Sequence, residues 1–170
     1  ATGHGAARRG GARPAPGAGT GSRWSIHQQA CDVRDLPALI TGREQGEARN
    51  RARVVWPQDG PLAHDARGFD WLAQAVASRG YVVLQPNYRG SDGYDSAFAD
   101  AGAGEWSGAM PADMADGVRY LVDQGMVDAK RVCIAGRGYG GYAALLGAQS
   151  AGTYRCALSL GGITNVASFA

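Results

Sequence analysis

One stretch limits the fold more than any other: Arg131 to Ala148, RVCIAGRGYGGYAALLGA. Val132 to Ala135 is a short apolar run that fits a buried strand. The turn Gly136-Arg137-Gly138-Tyr139-Gly140-Gly141 follows, and Tyr142 to Ala148 reads as the first turns of a buried helix. Passing from strand to helix in so few residues needs a backbone that glycine permits. Such a turn can display a nucleophile, in the pattern G-x-S-x-G. Gly136 and Gly140 supply the flanking glycines, but the middle position is Gly138.

Similar runs recur along the chain. Short strands are expected around Cys31–Val33 and Leu36–Ile40, with a charged loop from Gly42 to Arg53. Arg53–Trp56 reads as a strand ended by Pro57 and the turn Gln58-Asp59-Gly60-Pro61. Gly68 to Arg79 reads as a helix with Phe69, Leu72 and Val76 inward and Gly80 as its closing glycine. Tyr81–Gln85 is the next strand, followed by a long Gly/Asp/Ser-rich loop, Asn87 to Gly108. Ala112 to Gln124 reads as a helix with Met114, Val118, Leu121 and Val122 inward and with Asp113 and Asp116 favouring its positive end. Cys156–Leu160 is the last strand. Strands alternating with helices imply an α/β fold, a mostly parallel sheet with helices on both faces. Its ligands belong at the carboxyl ends of the strands.

Composition narrows the function classes. The 170 residues suit one domain. Residues 1–22 are rich in Gly, Ala, Arg and Pro and are expected to be a disordered tail, leaving 23–170 as the domain. The first 23 residues hold four arginines and no acid, whereas the rest holds 13 basic and 15 acidic groups. A nearly neutral globular part gives no ground for a nucleic-acid partner. No run is apolar and long enough to suggest a membrane span. Cys31, Cys133 and Cys156 show no metal-ligand spacing, and Cys133 and Cys156 sit in apolar runs as small hydrophobes do. The expectation is no disulfide framework and a reducing, cytoplasmic setting.

The runs GFDWLAQAVASRGYVVLQPNYRGSDGY, GEWSGAMPADMADGVRYLVDQGMVD and RVCIAGRGYGGYAALLGA, with YRCALSLGGITN, resemble the catalytic domain of the prolyl oligopeptidase family of serine peptidases, in its acylaminoacyl-peptidase and dipeptidyl-peptidase branches. The resemblance runs from about Asp32 to Phe169 and implies the amino-terminal part of an α/β-hydrolase fold. It implies hydrolysis of short peptides through an acyl-enzyme, with no cofactor and no metal. The family nucleophile falls on Gly138. One oxyanion donor falls on the backbone N–H of Tyr139, the other on Gln58, where the family has histidine or tyrosine. Asp59 stands where a glycine is expected. Asn87-Tyr88-Arg89-Gly90 and Glu105-Trp106 match the family. The triad acid and histidine would follow the nucleophile, yet no Asp, Glu or His follows Asp128. Their place would be on strands beyond Ala170.

Glycine has no side chain with which to attack, so acyl transfer is not expected of this chain. Ser91, Ser96, Ser107 and Ser159 lie off the turn, Cys133 lies inside a strand, and His64 reads as a surface histidine. Gly136-x-Gly138-x-x-Gly141 also spells the dinucleotide fingerprint. That fingerprint expects an acid about 20 positions on, and the region near Gly161 offers only the distant Arg155. The remaining alternative is a non-catalytic interaction module or a decayed fragment, with self-association through an uncovered sheet edge.

Overall fold

The computed structural model describes residues 26–33, 36–43, 51–150 and 152–166. The proposed tail, residues 1–22, lies outside them. Six strands form one sheet in the order β1-β2-β4-β3-β5-β6. β1 (Ile26–Val33) and β2 (Leu36–Arg43) make an antiparallel hairpin, and β2 pairs antiparallel with β4 (Val82–Pro86). β3 (Arg51–Val55) is parallel to both β4 and β5 (Val127–Arg137), and β5 is parallel to β6 (Cys156–Leu160). The four expected parallel strands are therefore present. The hairpin strands run longer than the sequence suggests, and β2 extends into the segment read as a loop.

Alternation along β4 divides the two faces. Every residue of β4 is buried. Leu84 faces the main core with Val55, Ile134 and Met114, whereas Gln85 reaches Asp70 on the opposite side. Two helices, α3 (Ala109–Asp123) and α4 (Tyr139–Gln149), lie side by side over the main core. The other face carries α1 (Trp71–Ser78).

Several sequence expectations are corrected. Asp70 caps α1, its Oδ1 accepting from the N–H of Leu72 and Ala73. Phe69 therefore precedes the helix and is 83% exposed, and the buried positions are Ala73 and Ala77. The long loop holds a short helix, α2 (Ser96–Asp100), capped by Asp95. α3 starts three residues before the expected Ala112, so Asp113 is no longer in its first turn and is buried.

Cys133 and Cys156 are joined in a disulfide. They are register partners on the parallel strands β5 and β6, with Cα atoms 4.7 Å apart, a separation disulfides commonly span. An apolar neighbourhood says nothing about register, which is why the sequence hides the pairing. Cys156 is moreover exposed. The cytoplasmic expectation drew on free thiols and loses that basis. Among the described strands β6 lies at one edge of the sheet, with Leu158 and Leu160 exposed at 54% and 44%.

Candidate functional site

β5 delivers the chain to the carboxyl edge of the sheet, and α4 leads it away. Gly138 sits at the join with φ 56° and ψ −121°, and its carbonyl accepts from the N–H of Tyr142 at 3.1 Å. Only glycine takes up this backbone without strain, and a nucleophile held there is strained. The neighbouring glycines are consumed by close packing. A Cβ on Gly136 would overlap the backbone of Gly140, and one on Gly140 would overlap the Pro57 carbonyl. One on Gly141 would press on Gly162 Cα at 2.7 Å. Their spacing is explained by the turn without a bound phosphate. Arg155 precedes β6, at the opposite end of that strand from the turn, and so is far from any ligand cradled there.

The space that a side chain at residue 138 would enter is occupied. A Cβ on Gly138 would overlap Asp59 Oδ1. The other oxygen, Oδ2, accepts from Arg137 Nε at 2.8 Å. Asp59 and Arg137 remain 44% and 70% exposed as side chains. A carboxylate thus stands above the turn, where acyl transfer would develop negative charge and needs donors instead.

Gln58, expected at the oxyanion position, is 4% exposed. Its Nε2 donates to Ser91 Oγ at 3.0 Å, and Ser91 Oγ donates to the Tyr88 carbonyl at 2.6 Å. The amide therefore braces the loop after β4 from within. Tyr139 places its backbone N–H at the start of α4 while its ring is buried among Tyr88, Trp106 and Tyr142. Its hydroxyl donates to the Trp106 carbonyl at 3.1 Å, and burial holds its pKa well above the ordinary value.

The family-like loop residues have structural work of their own. Asn87 accepts from the Asp65 N–H at 2.8 Å and donates to the Asp65 carbonyl at 2.9 Å and to Tyr94 Oη at 2.8 Å. Arg89 donates to both Asp113 oxygens, Nε to Oδ2 at 2.8 Å and Nη2 to Oδ1 at 2.7 Å, and its backbone N–H reaches Oδ2 at 3.1 Å. Glu105 Oε2 accepts from the Ala109 N–H at 2.7 Å and so caps α3, whose N-cap residue is Gly108. Asp113 was missed as a partner of Arg89 because the reading placed it at a helix end.

His64 pairs through Nδ1 with Asp92 and lines a cleft with Cys31, Asp65, Asn87 and Tyr94, a cleft that none of the turn residues enters. Within that cleft, burial and then the neighbouring Asp70 push the Asp65 carboxyl up to about 6. Ser91 is fully buried, and Ser159 lies beneath Gly141 and Gly162. Cys133 is in the disulfide. Among the described residues no group of His, Cys, Asp and Glu could hold a metal ion, and no helix is long and apolar enough to cross a membrane.

Known proteins resemble this chain in sequence and in fold. The chain is 34% identical over 152 residues to dipeptidyl aminopeptidase BIII of Pseudoxanthomonas mexicana, covering 85% of this chain and 22% of that protein. The structure of a puromycin-hydrolysing peptidase of Mycobacterium tuberculosis superposes with a TM-score of 0.78 at 27% identity, over 85% of this chain and 24% of that one. Acylaminoacyl peptidase of Pyrococcus horikoshii gives 0.71 at 24% identity, over 83% of this chain and 24% of that one, and shares the α/β-hydrolase fold. The chain therefore spans less than a quarter of the length of each of these relatives. The model of the prolyl oligopeptidase family matches residues 67–170, from the loop before α1 onward. More than half of the residues lie under that match, and the turn at Gly138 is among them, so the chain belongs to the prolyl oligopeptidase family.

Proposed function

We propose that this chain keeps the frame of a serine-type peptidase domain but does not perform acyl transfer, and that it serves as a binding, non-catalytic member of its family. The observation that carries this is the turn itself. Gly138 offers no nucleophile, and Asp59 Oδ1 fills the place where one would stand. Acyl transfer needs an attacking group with a base beside it and donors for the oxyanion. Here the turn supplies a backbone N–H and a carboxylate. His64, the nearest histidine in sequence, is paired elsewhere.

The test is labelling by a serine-directed fluorophosphonate together with p-nitrophenyl ester turnover. The unmodified chain is expected to show neither. Gly138→Ser alone is expected to remain unlabelled, because the serine would meet Asp59 and because His64 among the described residues is paired away from the turn. Labelling of the unmodified chain would overturn the proposal. Labelling of Gly138→Ser alone would show that a base already lies within reach. The exposed Leu158 and Leu160 on the edge strand β6 also favour self-association of the chain. A monodisperse monomer in sedimentation would contradict that.

A further inference from the structure

A cleft of about 240 Å³ opens beside the turn, lined by Trp56, Asp59, Trp71, Leu72, Arg137 and Leu160. Three features set it apart from ordinary surface. Its walls expose large apolar groups, with Trp71 at 70% and Leu160 at 44%, and exposed apolar side chains gathered in one place mark binding surfaces. Both charges at its mouth are half used. Arg137 gives only Nε to Asp59, which leaves its two terminal nitrogens for a ligand, and Asp59 uses only Oδ2, which leaves Oδ1 over the bare Gly138. The second carboxylate there, Asp70, is committed, with Oδ1 on the N–H of Leu72 and Ala73 and Oδ2 on Gln85.

We propose that this cleft binds a free apolar α-amino acid as its zwitterion, carboxylate on Arg137, ammonium on Asp59 and side chain against Trp56 and Trp71. The inference rests on the non-catalytic reading of the same turn and names its ligand. Charge argues for a zwitterion: an anion alone would meet Asp59, and a cation alone would meet Arg137. Opposite charges on the ligand continue the alternation that the protein begins, through charge-assisted hydrogen bonds. Size argues for a single residue, because clefts that enclose drug-sized molecules run to about 300–1,000 Å³. Asp59 and the bare position 138 make the site together, since a side chain at 138 would displace the carboxylate.

The experiment is titration of the chain with L-leucine, followed by calorimetry and by intrinsic tryptophan fluorescence. L-leucinamide, which keeps only the ammonium, and 4-methylpentanoate, which keeps only the carboxylate, serve as single-charge controls. Saturable binding of L-leucine is expected. Each control, and each of Asp59→Asn and Arg137→Gln with L-leucine, is expected to bind about 10-fold more weakly or worse, the loss of one charged hydrogen-bonding partner. Absence of saturable binding by either readout would overturn the proposal, and so would equal binding of L-leucine and both single-charge controls. Fluorophosphonate labelling of the same samples reads the other claim separately. Labelling at the turn would defeat the non-catalytic reading. Absence of both labelling and leucine binding would defeat this inference alone.

Discussion

Two loops at the carboxyl edge of the sheet differ in how their polar groups are used. In the segment after β4, Asn87, Arg89, Ser91 and Glu105 all bond to backbone or to buried partners. At the turn after β5, Asp59 and Arg137 are exposed and hold only each other. The first loop lies within the stretch that the family model matches, and the second carries Asp59 and Gly138, where the sequence reading expects other residues. The comparison teaches that motif residues can persist for the fold's sake. The polar groups of the first loop fix the positions of α3 and of Tyr139 whatever happens at residue 138. Family likeness in that loop therefore reports the frame, and the chemistry has to be read at the turn.

If the first loop is held by its bonds, breaking them should have the largest effect on stability. Asp113→Ala removes three acceptor contacts from Arg89 and leaves a backbone N–H and a guanidinium without them. Loss of a partner from a fully buried ion pair costs about 3–5 kcal/mol. Arg89 is 41% exposed and can recover some hydration, so about 2–3 kcal/mol is expected from urea denaturation. A loss below about 0.5 kcal/mol, the range of ordinary surface changes, would break the comparison.

The next effect is pH-dependent. Asp65, bonded through its backbone to Asn87, has its carboxyl raised from 3.8 to about 6, first by burial and then by Asp70. The folded chain thus holds this proton more tightly than the unfolded chain does. Its contribution is full below about 3.8 and is lost as pH rises through about 6. Asp65→Asn removes that dependence, and the variant is expected to exceed the parent by about 2 kcal/mol at pH 8 while the gap closes near pH 4. A gap that is constant across this window would show that the carboxyl is not buried as described. The smallest effect belongs to the exposed ion pair at the turn. Arg137→Ala breaks an exposed pair and is expected to change stability by less than about 1 kcal/mol, and less still in high salt.

Much of the frame is legible in the sequence because it rests on local signals. The runs Val82–Gln85 and Val132–Ala135 are apolar enough to need cover on both faces, which only a central position in a sheet supplies. Helix starts were harder to read. α3 begins at Ala109 with Pro111 in its first turn, where proline is tolerated. Its cap comes from Glu105, so no Ser, Thr, Asp or Asn marks its start. The Asp95 cap of α2 was readable, but the Gly/Asp/Ser composition around it argued for loop. Long-range pairings were beyond reach. The disulfide depends on the register of β5 against β6, and the Arg89–Asp113 pair spans 24 positions. The Asp59–Arg137 pair spans 78. The sequence shows that Asp59 and Gly138 are both unusual, and only the fold shows that they occupy one space.

That shared space is the central claim, and a double-mutant cycle on it is the most direct measurement. The set is the parent, Gly138→Ser, Asp59→Gly and the double variant, each unfolded in urea. Gly138→Ser alone is expected to cost about 1–3 kcal/mol, from strain at a positive φ and from displacement of the carboxylate. Asp59→Gly alone should cost little, since it breaks only an exposed pair. In the double variant the serine should regain the displacement part and keep the strain, giving a coupling of about 1 kcal/mol in favour of the double variant. Costs that add to within about 0.3–0.5 kcal/mol, as independent sites do, would contradict the claim that Asp59 and a side chain at residue 138 compete for one space.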